Sequence, residues 1–118
     1  MKRLMMIVIL GLGLMVPQTG AATVEEEIQH LLSYVRNSHV VFLRNGQEHN
    51  SAEAADHMAK KAKHFKDQIR TAEDFIRLAA TKSLVSGELY SIRTPDGKTE
   101  KTGEWLTHEL ERFRNEKE

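Results

Sequence analysis

Apolar residues recur along this chain in two rhythms. From Leu4 to Val16 they run almost unbroken, interrupted by Gly11 and Gly13. Beyond residue 23 they step by three and four, the period of amphipathic helices. The first such stripe is Ile28, Leu31, Leu32 and Val35. It follows Thr23 with Glu26 three residues on, a capping-box pattern, and Glu25, Glu26 and Glu27 suit the positive end of a helix dipole. Asn37-Ser38 weakens that helix. Val40-Val41-Phe42-Leu43 then reads as a short buried segment, either a strand or a continuation of the helix, and Asn45-Gly46 marks a turn. In the helical case His39 falls near the apolar side, as a core histidine.

A second helix is expected from Ser51, a plausible cap, with Ala55, Met58, Ala62, Phe65 and Ile69 on one face. Lys60, Lys61, Lys63 and Lys66 lie on other faces and read as solvated. A third helix starts at Thr71 with Asp74 in the capping position and carries Phe75, Ile76 and Ala79. Lys82 to Gly87 reads as a loop. Leu89-Tyr90-Ser91-Ile92 has weak strand character, Thr94-Pro95-Asp96-Gly97 is a turn in which Pro presets φ and Gly closes the bend, and Lys98 to Lys101 returns as a second short strand. A fourth helix from Thr102 or Gly103 presents Trp105, Leu106, Leu110 and Phe113, with residues 114–118 charged and frayed. The expected fold class is therefore mainly α: a small four-helix domain over residues 22–118 with a minor β-hairpin at about residues 89–101.

The unbroken apolar run needs a different account. Lys2 and Arg3 precede it, Pro17 ends it, and small residues follow, with Thr19/Ala21 or Gly20/Ala22 at the −3 and −1 positions. This is the pattern of a secretory signal peptide; the run is short of the roughly 18 apolar residues of a membrane span. Cleavage is expected after Ala21 or Ala22, giving a leader of residues 1–21 and a soluble exported domain that meets the membrane only during export. The chain has 118 residues, 17 basic and 17 acidic, and no cysteine. Without Lys2 and Arg3 the remainder holds two more acidic than basic residues, which argues against nucleic-acid binding. The missing cysteine excludes disulfides, thiolate metal sites and thiol nucleophiles together, so the exported fold must be held by packing.

Candidate chemistry concentrates between residues 44 and 61. Arg44, Asn45, Gly46, Glu48 and His49 crowd a turn, and Glu53, His57 and Lys61 follow at helical spacing. A Glu53–His57 pair at i, i+4 is within side-chain reach and suits the orienting of an imidazole. Arg44 suits a carboxylate or phosphate, and the start of the second helix suits an anion. The same residues also fit a purely structural role: a turn, a Glu53 carboxylate favouring the helix dipole, a flanking His57 paired with it, and an Arg44–Glu48 pair.

Six histidines raise the question of zinc, but none are spaced i, i+3 or i, i+4. His57 and His64, seven residues apart, stand about 10 Å apart along a helix. A tertiary set of His49, Glu53 and His57 is the one metal arrangement left open; no metal or other cofactor is otherwise expected. No G-x-S-x-G elbow, P-loop or dinucleotide fingerprint occurs after the leader. Tyr90 and Trp105 either pack in the core or flank a small pocket, and Glu109 lies close to the apolar side of the last helix, where it suits a buried partner for Arg44 or a histidine.

The stretch Phe42-Leu43-Arg44-Asn45-Gly46-Gln47-Glu48-His49, with Glu53-Ala54, His57-Met58 and Lys61, resembles the YfeK-like family. Thr71 to Ile76, Ser86-Gly87 with Tyr90, and Trp105-Leu106 with Glu109-Leu110 fit the same pattern, so the resemblance covers about residues 24 to 113. It implies periplasmic residence in a Gram-negative bacterium, and no particular activity. The family pattern matches Arg44, Asn45, Gly46, Glu48, His49, Glu53 and His57. Some relatives carry a cysteine where this chain has Asn50 or Ser51, so thiol chemistry at that turn does not carry over.

Two functions follow as expectations. The first is a non-enzymatic periplasmic binding or interaction module using residues 44–57 for a small ligand or an envelope protein. The second is a small hydrolase or metal-dependent enzyme using Glu48, His49, Glu53 and His57, which requires those four side chains to converge on one cleft.

Overall fold

The computed structural model describes residues 21–117. Residues 1–20, and with them the charged and apolar parts of the expected leader, lie outside the described residues. Among the described residues no helix is long and apolar enough to cross a membrane.

Helix α1 spans Val24–Arg36. Its start is set locally: the Thr23 hydroxyl accepts from the Glu26 amide at 3.1 Å, and the Glu26 carboxylate accepts from the Thr23 amide at 2.9 Å. Helix α2, Ser51–His64, is capped one residue earlier than Ser51 suggests. Asn50 accepts from the Glu53 amide at 2.8 Å and Glu53 accepts from the Asn50 amide at 3.1 Å, a second capping box. A 3₁₀ turn at Lys66–Gln68 follows, so Ile69 reaches the core from outside the helix. Helix α3, Ala72–Ala79, begins where the Thr71 hydroxyl accepts from the Asp74 amide at 3.0 Å. Helix α4 runs Thr102–Lys117.

Four short strands, β1 (Val41–Arg44), β2 (Gln47–His49), β3 (Ser91–Arg93) and β4 (Thr99–Lys101), form one antiparallel sheet in the order β2-β1-β3-β4. The expectation of a mainly α domain with a minor hairpin is overturned by this sheet: the fold is α+β. The hairpin expected around residues 89–101 exists, but it is half of a larger unit. Its partner is a second hairpin closed at Asn45-Gly46. Both turn residues have positive φ, 52° and 76°, the backbone of a type I′ turn, which Asn-Gly favours and which matches strand twist. Val41–Arg44 is thus a strand, and a central one. His39, also at positive φ (60°), breaks the chain away from α1 and stays exposed, so it is not a core residue.

The register sorts the sheet into two faces. His49, Phe42, Ile92 and Glu100 align in one row across all four strands, and Glu48, Leu43, Ser91 and Lys101 align in the next, on the opposite face. The first row turns towards the helices: Phe42 and Ile92 are 5% and 0% exposed and join a core with Leu31, Val35, Phe75 and Leu106. Helix α4 does not fray from residue 114 but continues to Lys117, the last described residue. Arg114 grips Glu27 through two bonds of 2.8 and 2.9 Å and Glu73 through bonds of 2.6 and 3.1 Å, tying α4 to α1 and α3.

Ile92 sits where the two hairpins and the helices meet. Ile92→Ala should cost about 2–5 kcal/mol, the cavity penalty of a core isoleucine, read as a lower urea midpoint at unchanged slope. A loss below about 1 kcal/mol would mean that the sheet is not part of the core.

Candidate functional site

Between β1, β2 and the first two turns of α2 lies a cavity of about 270 Å³ lined by Arg44, His49, Glu53, His57 and Tyr90 over an apolar floor of Phe42, Ala54 and Met58. Each polar side chain is placed by simple geometry. Arg44 follows Phe42 by two residues on β1, so it shares the inner face. His49 stands directly opposite Phe42. His57 is one turn beyond Glu53 and one residue before buried Met58 on α2. Continuing the β1–β3 register by one pair places Tyr90 across from Arg44.

Arg44, His57, Tyr90 and Lys61 form a connected polar chain. The Arg44 Nη1 lies 3.0 Å from His57 Nδ1 and 3.1 Å from Nε2, and His57 Nε2 lies 3.2 Å from the Tyr90 hydroxyl. Lys61, only 7% exposed, donates to the Lys82 carbonyl at 2.8 Å and to the Tyr90 oxygen at 3.3 Å. Arginine and lysine carry donors only, and a neutral imidazole has one donor and one acceptor. The pattern that satisfies all four groups has Arg44 donating to His57 Nδ1 and His57 Nε2–H donating to the Tyr90 oxygen. In that pattern the phenol accepts from both His57 and Lys61 and keeps its own proton to donate.

The charge balance of this chain is one-sided. Among the described residues no carboxylate is within ion-pair distance of Arg44 or Lys61. Burial, then the positive charges of Arg44 and Lys61, lower the His57 pKa to about 4, so the ring is neutral near pH 7. Burial also lowers Lys61, with Arg44 adding to the effect, and raises Tyr90.

The sequence-derived site is only partly assembled. Arg44, His49, Glu53 and His57 line the cavity; Asn45, Gly46 and Glu48 do not. Glu48 precedes His49 on a strand and so points to the opposite face, where it pairs with Arg93 at 2.8 Å rather than with Arg44. Asn45 braces the hairpin: its amide donates to buried Ser83 at 3.2 Å and its oxygen accepts from Ser86 at 2.6 Å. Gly46 supplies the turn. Glu53 does not orient His57; it caps α2 and approaches His49 Nδ1 at 3.6 Å. His49 Nε2 is buried without a hydrogen-bond partner. Among the described residues no three His, Asp or Glu side chains gather as a metal cluster; His49 faces Glu53, whereas His57 is engaged by Arg44 and Tyr90.

Tyr90, Lys61 and the apolar floor complete the site. Lys61 was legible as the next helical step after His57, but the expectation that it is solvated is overturned: it is buried against the Lys82 carbonyl and Tyr90. Tyr90 does flank a pocket, one of the two roles its sequence allowed, and only the β1–β3 pairing puts it beside Arg44; Trp105 packs elsewhere, against Tyr34 and Phe42. Glu109 does serve as a buried partner for a histidine, accepting from His30 at 2.6 Å while also held by Arg112 at 2.7 and 2.9 Å.

A small α+β domain with a mixed polar–apolar cavity between its sheet and α2 is the class that this architecture defines. The chain belongs to a family of unknown function, DUF5329, whose model matches residues 22–114. It is 39% identical over 51 residues to the uncharacterized protein YfeK of Salmonella typhimurium strain LT2, an alignment that spans 43% of this chain and 42% of that protein. The resemblance to the YfeK-like family read from Arg44 to His57 therefore holds. No solved structure matches the chain.

Followed by NMR, the His57 ring should titrate near pH 4 instead of 6.5. With the folded value below the unfolded one, the unfolded chain takes up the proton first. The stability contributed by neutral His57 is then full above about pH 6.5 and is lost as pH falls towards 4. Arg44→Gln should move the midpoint upwards; an unchanged midpoint would show that the guanidinium does not act on the ring.

Proposed function

We propose that this protein is an exported, periplasmic binding module without catalytic turnover, and that it takes a small molecule in the cavity at Arg44, His57 and Tyr90. The observation that carries this reading is the Arg44 guanidinium, without a carboxylate partner among the described residues, on the wall of a concave space with an apolar floor, with Lys61 behind Tyr90. Pockets of this composition, mostly apolar with a few directed polar groups, are the usual form of small-ligand sites. A flat surface for an envelope protein would not need the enclosure.

Two features favour binding over turnover. An imidazole held near 4 is far from the operating pH at which a general base works best. The four side chains that a hydrolase would use as one set are split, with Glu48 on the far face of the sheet. Export is supported by the leader pattern of residues 1–21. Both expected cleavage points lie ahead of the Thr23 cap, so removal of the leader leaves α1 intact.

Two measurements test the proposal. Terminal sequencing of the protein from an osmotic-shock fraction should begin at Ala22 or Thr23; a chain starting at Met1 and sedimenting with membranes would refute export. A low-molecular-mass periplasmic extract added to ¹⁵N-labelled protein should shift the amides of Arg44, His57 and Tyr90. In a folded Ala54→Leu variant, whose longer side chain fills the floor, those shifts should vanish. Equal shifts in both proteins, or none in either, would rule the cavity out.

A further inference from the structure

Resting on the reading of the cavity as a small-molecule site, we propose that its ligand is a monoanionic carboxylate with a compact apolar body. The carboxylate sits on Arg44 and the Tyr90 hydroxyl, and the body lies against Phe42, Ala54 and Met58.

Three observations converge on that class. First, the Arg44 guanidinium sets Nη1 on His57, has the Tyr90 phenol as its other polar neighbour, and pairs with no carboxylate among the described residues. Its Nε and Nη2 donors keep the planar fork that matches two carboxylate oxygens. Second, Tyr90 accepts from Lys61, and with His57 in the tautomer that carries its proton on Nε2 the hydrogen bond left for the phenol to offer is a donor. Lys61 stands behind the phenol, 5.0 Å from the ring centroid, and adds positive potential without entering the cavity. An anion with an acceptor oxygen meets both demands at once.

Third, the remainder of the lining limits charge and size. Arg44 is the one full cation on the wall, and the Glu53 carboxylate lines the same cavity. A compact oxyanion such as phosphate, about half of it doubly charged at pH 7, would face one cation and one repelling carboxylate and leave the apolar floor bare, whereas a carboxylate monoanion is balanced by Arg44 and kept at the Arg44–Tyr90 end. The apolar floor needs a hydrocarbon or ring to cover it. At about 270 Å³ the space lies just below the roughly 300–1,000 Å³ of drug-sized sites, which suits a short aliphatic or monocyclic acid.

The closing experiment is an NMR titration of the purified protein at pH 7 with hexanoate, hexanol and inorganic phosphate, one at a time. Hexanoate should shift Arg44, His57 and Tyr90 and bind at least about tenfold more tightly than hexanol, the margin of one charge-assisted pair. It should also raise the His57 midpoint, since the groups now facing that ring are the cations Arg44, Lys60 and Lys61, with His49; hexanol should leave the midpoint in place. Arg44→Gln should weaken hexanoate by about tenfold or more, and Tyr90→Phe by a smaller factor. If Arg44→Gln does not fold, Arg44→Lys, which keeps the charge and loses the fork, should still weaken binding. Hexanol binding as tightly as hexanoate would overturn the proposal, as would phosphate binding in place of hexanoate. If no probe binds while the periplasmic extract still shifts the cavity amides, the carboxylate class is wrong and the small-molecule reading stands. If neither acts, both fall.

Discussion

The pairing of Val41, Phe42 and Leu43 with Arg93, Ile92 and Ser91 is the interaction on which the rest of this structure depends. Each hairpin by itself is a local object, closed by its own turn. A lone two-stranded hairpin is marginal in water. Joined edge to edge, the two make a sheet with one continuous apolar row, Phe42 beside Ile92, on which helices can pack. Register matters as much as contact, because a slip of one residue would send Phe42 and Ile92 to solvent and turn Leu43 and Ser91 inward.

The same register builds the cavity. It sets Arg44 next to Tyr90 on the inner face and His49 at the far end of the row. Helix α2 then lays His57 across Arg44 and Lys61 behind Tyr90. The loop before β3 contributes without lining the site: the Lys82 carbonyl anchors Lys61, and Ser83 and Ser86 hold the Asn45 side chain at the hairpin turn. Position rather than composition makes these groups a site. Arg93 and Arg114 are equally basic, but each is neutralised by carboxylates. Arg44 and Lys61 face an imidazole and a phenol, neither of which cancels their charge.

The fold is held without disulfides, and its charged residues follow a clear division of labour. Arg114 with Glu27 and Glu73, and Glu109 with His30 and Arg112, join helices distant in sequence. Glu27 and Glu109 are 8% and 4% exposed. Removing one partner would strand a buried carboxylate, which costs more than the pair contributes. Such ties favour one arrangement of α1, α3 and α4 over others of similar apolar burial.

Much of this was legible from residues in order, because it depends on neighbours within four positions. The capping box at Thr23, the cap at Thr71, the Asn45-Gly46 turn and the apolar stripes of α1, α3 and α4 are local facts, each set by side-chain reach to a nearby backbone group or by the helical period; the cap of α2 is as local, but it falls on Asn50 and not on the Ser51 that the sequence suggested. The crowding of Arg44, His49, Glu53 and His57 was visible for the same reason: a turn and a helix start are short-range features. Whether the fold was α or α+β was not, since β1 meets β3 across some fifty residues and no local pattern records which strand edge finds which. Nor were the partners of the polar residues. Glu48 and His49 are adjacent in the chain but separated by the pleat, whereas Arg44 and Tyr90 are distant in the chain but adjacent in the sheet. Sequence determined which groups are present and which short elements carry them. Tertiary structure decided which groups meet, because that choice rests on strand register and on the burial it enforces.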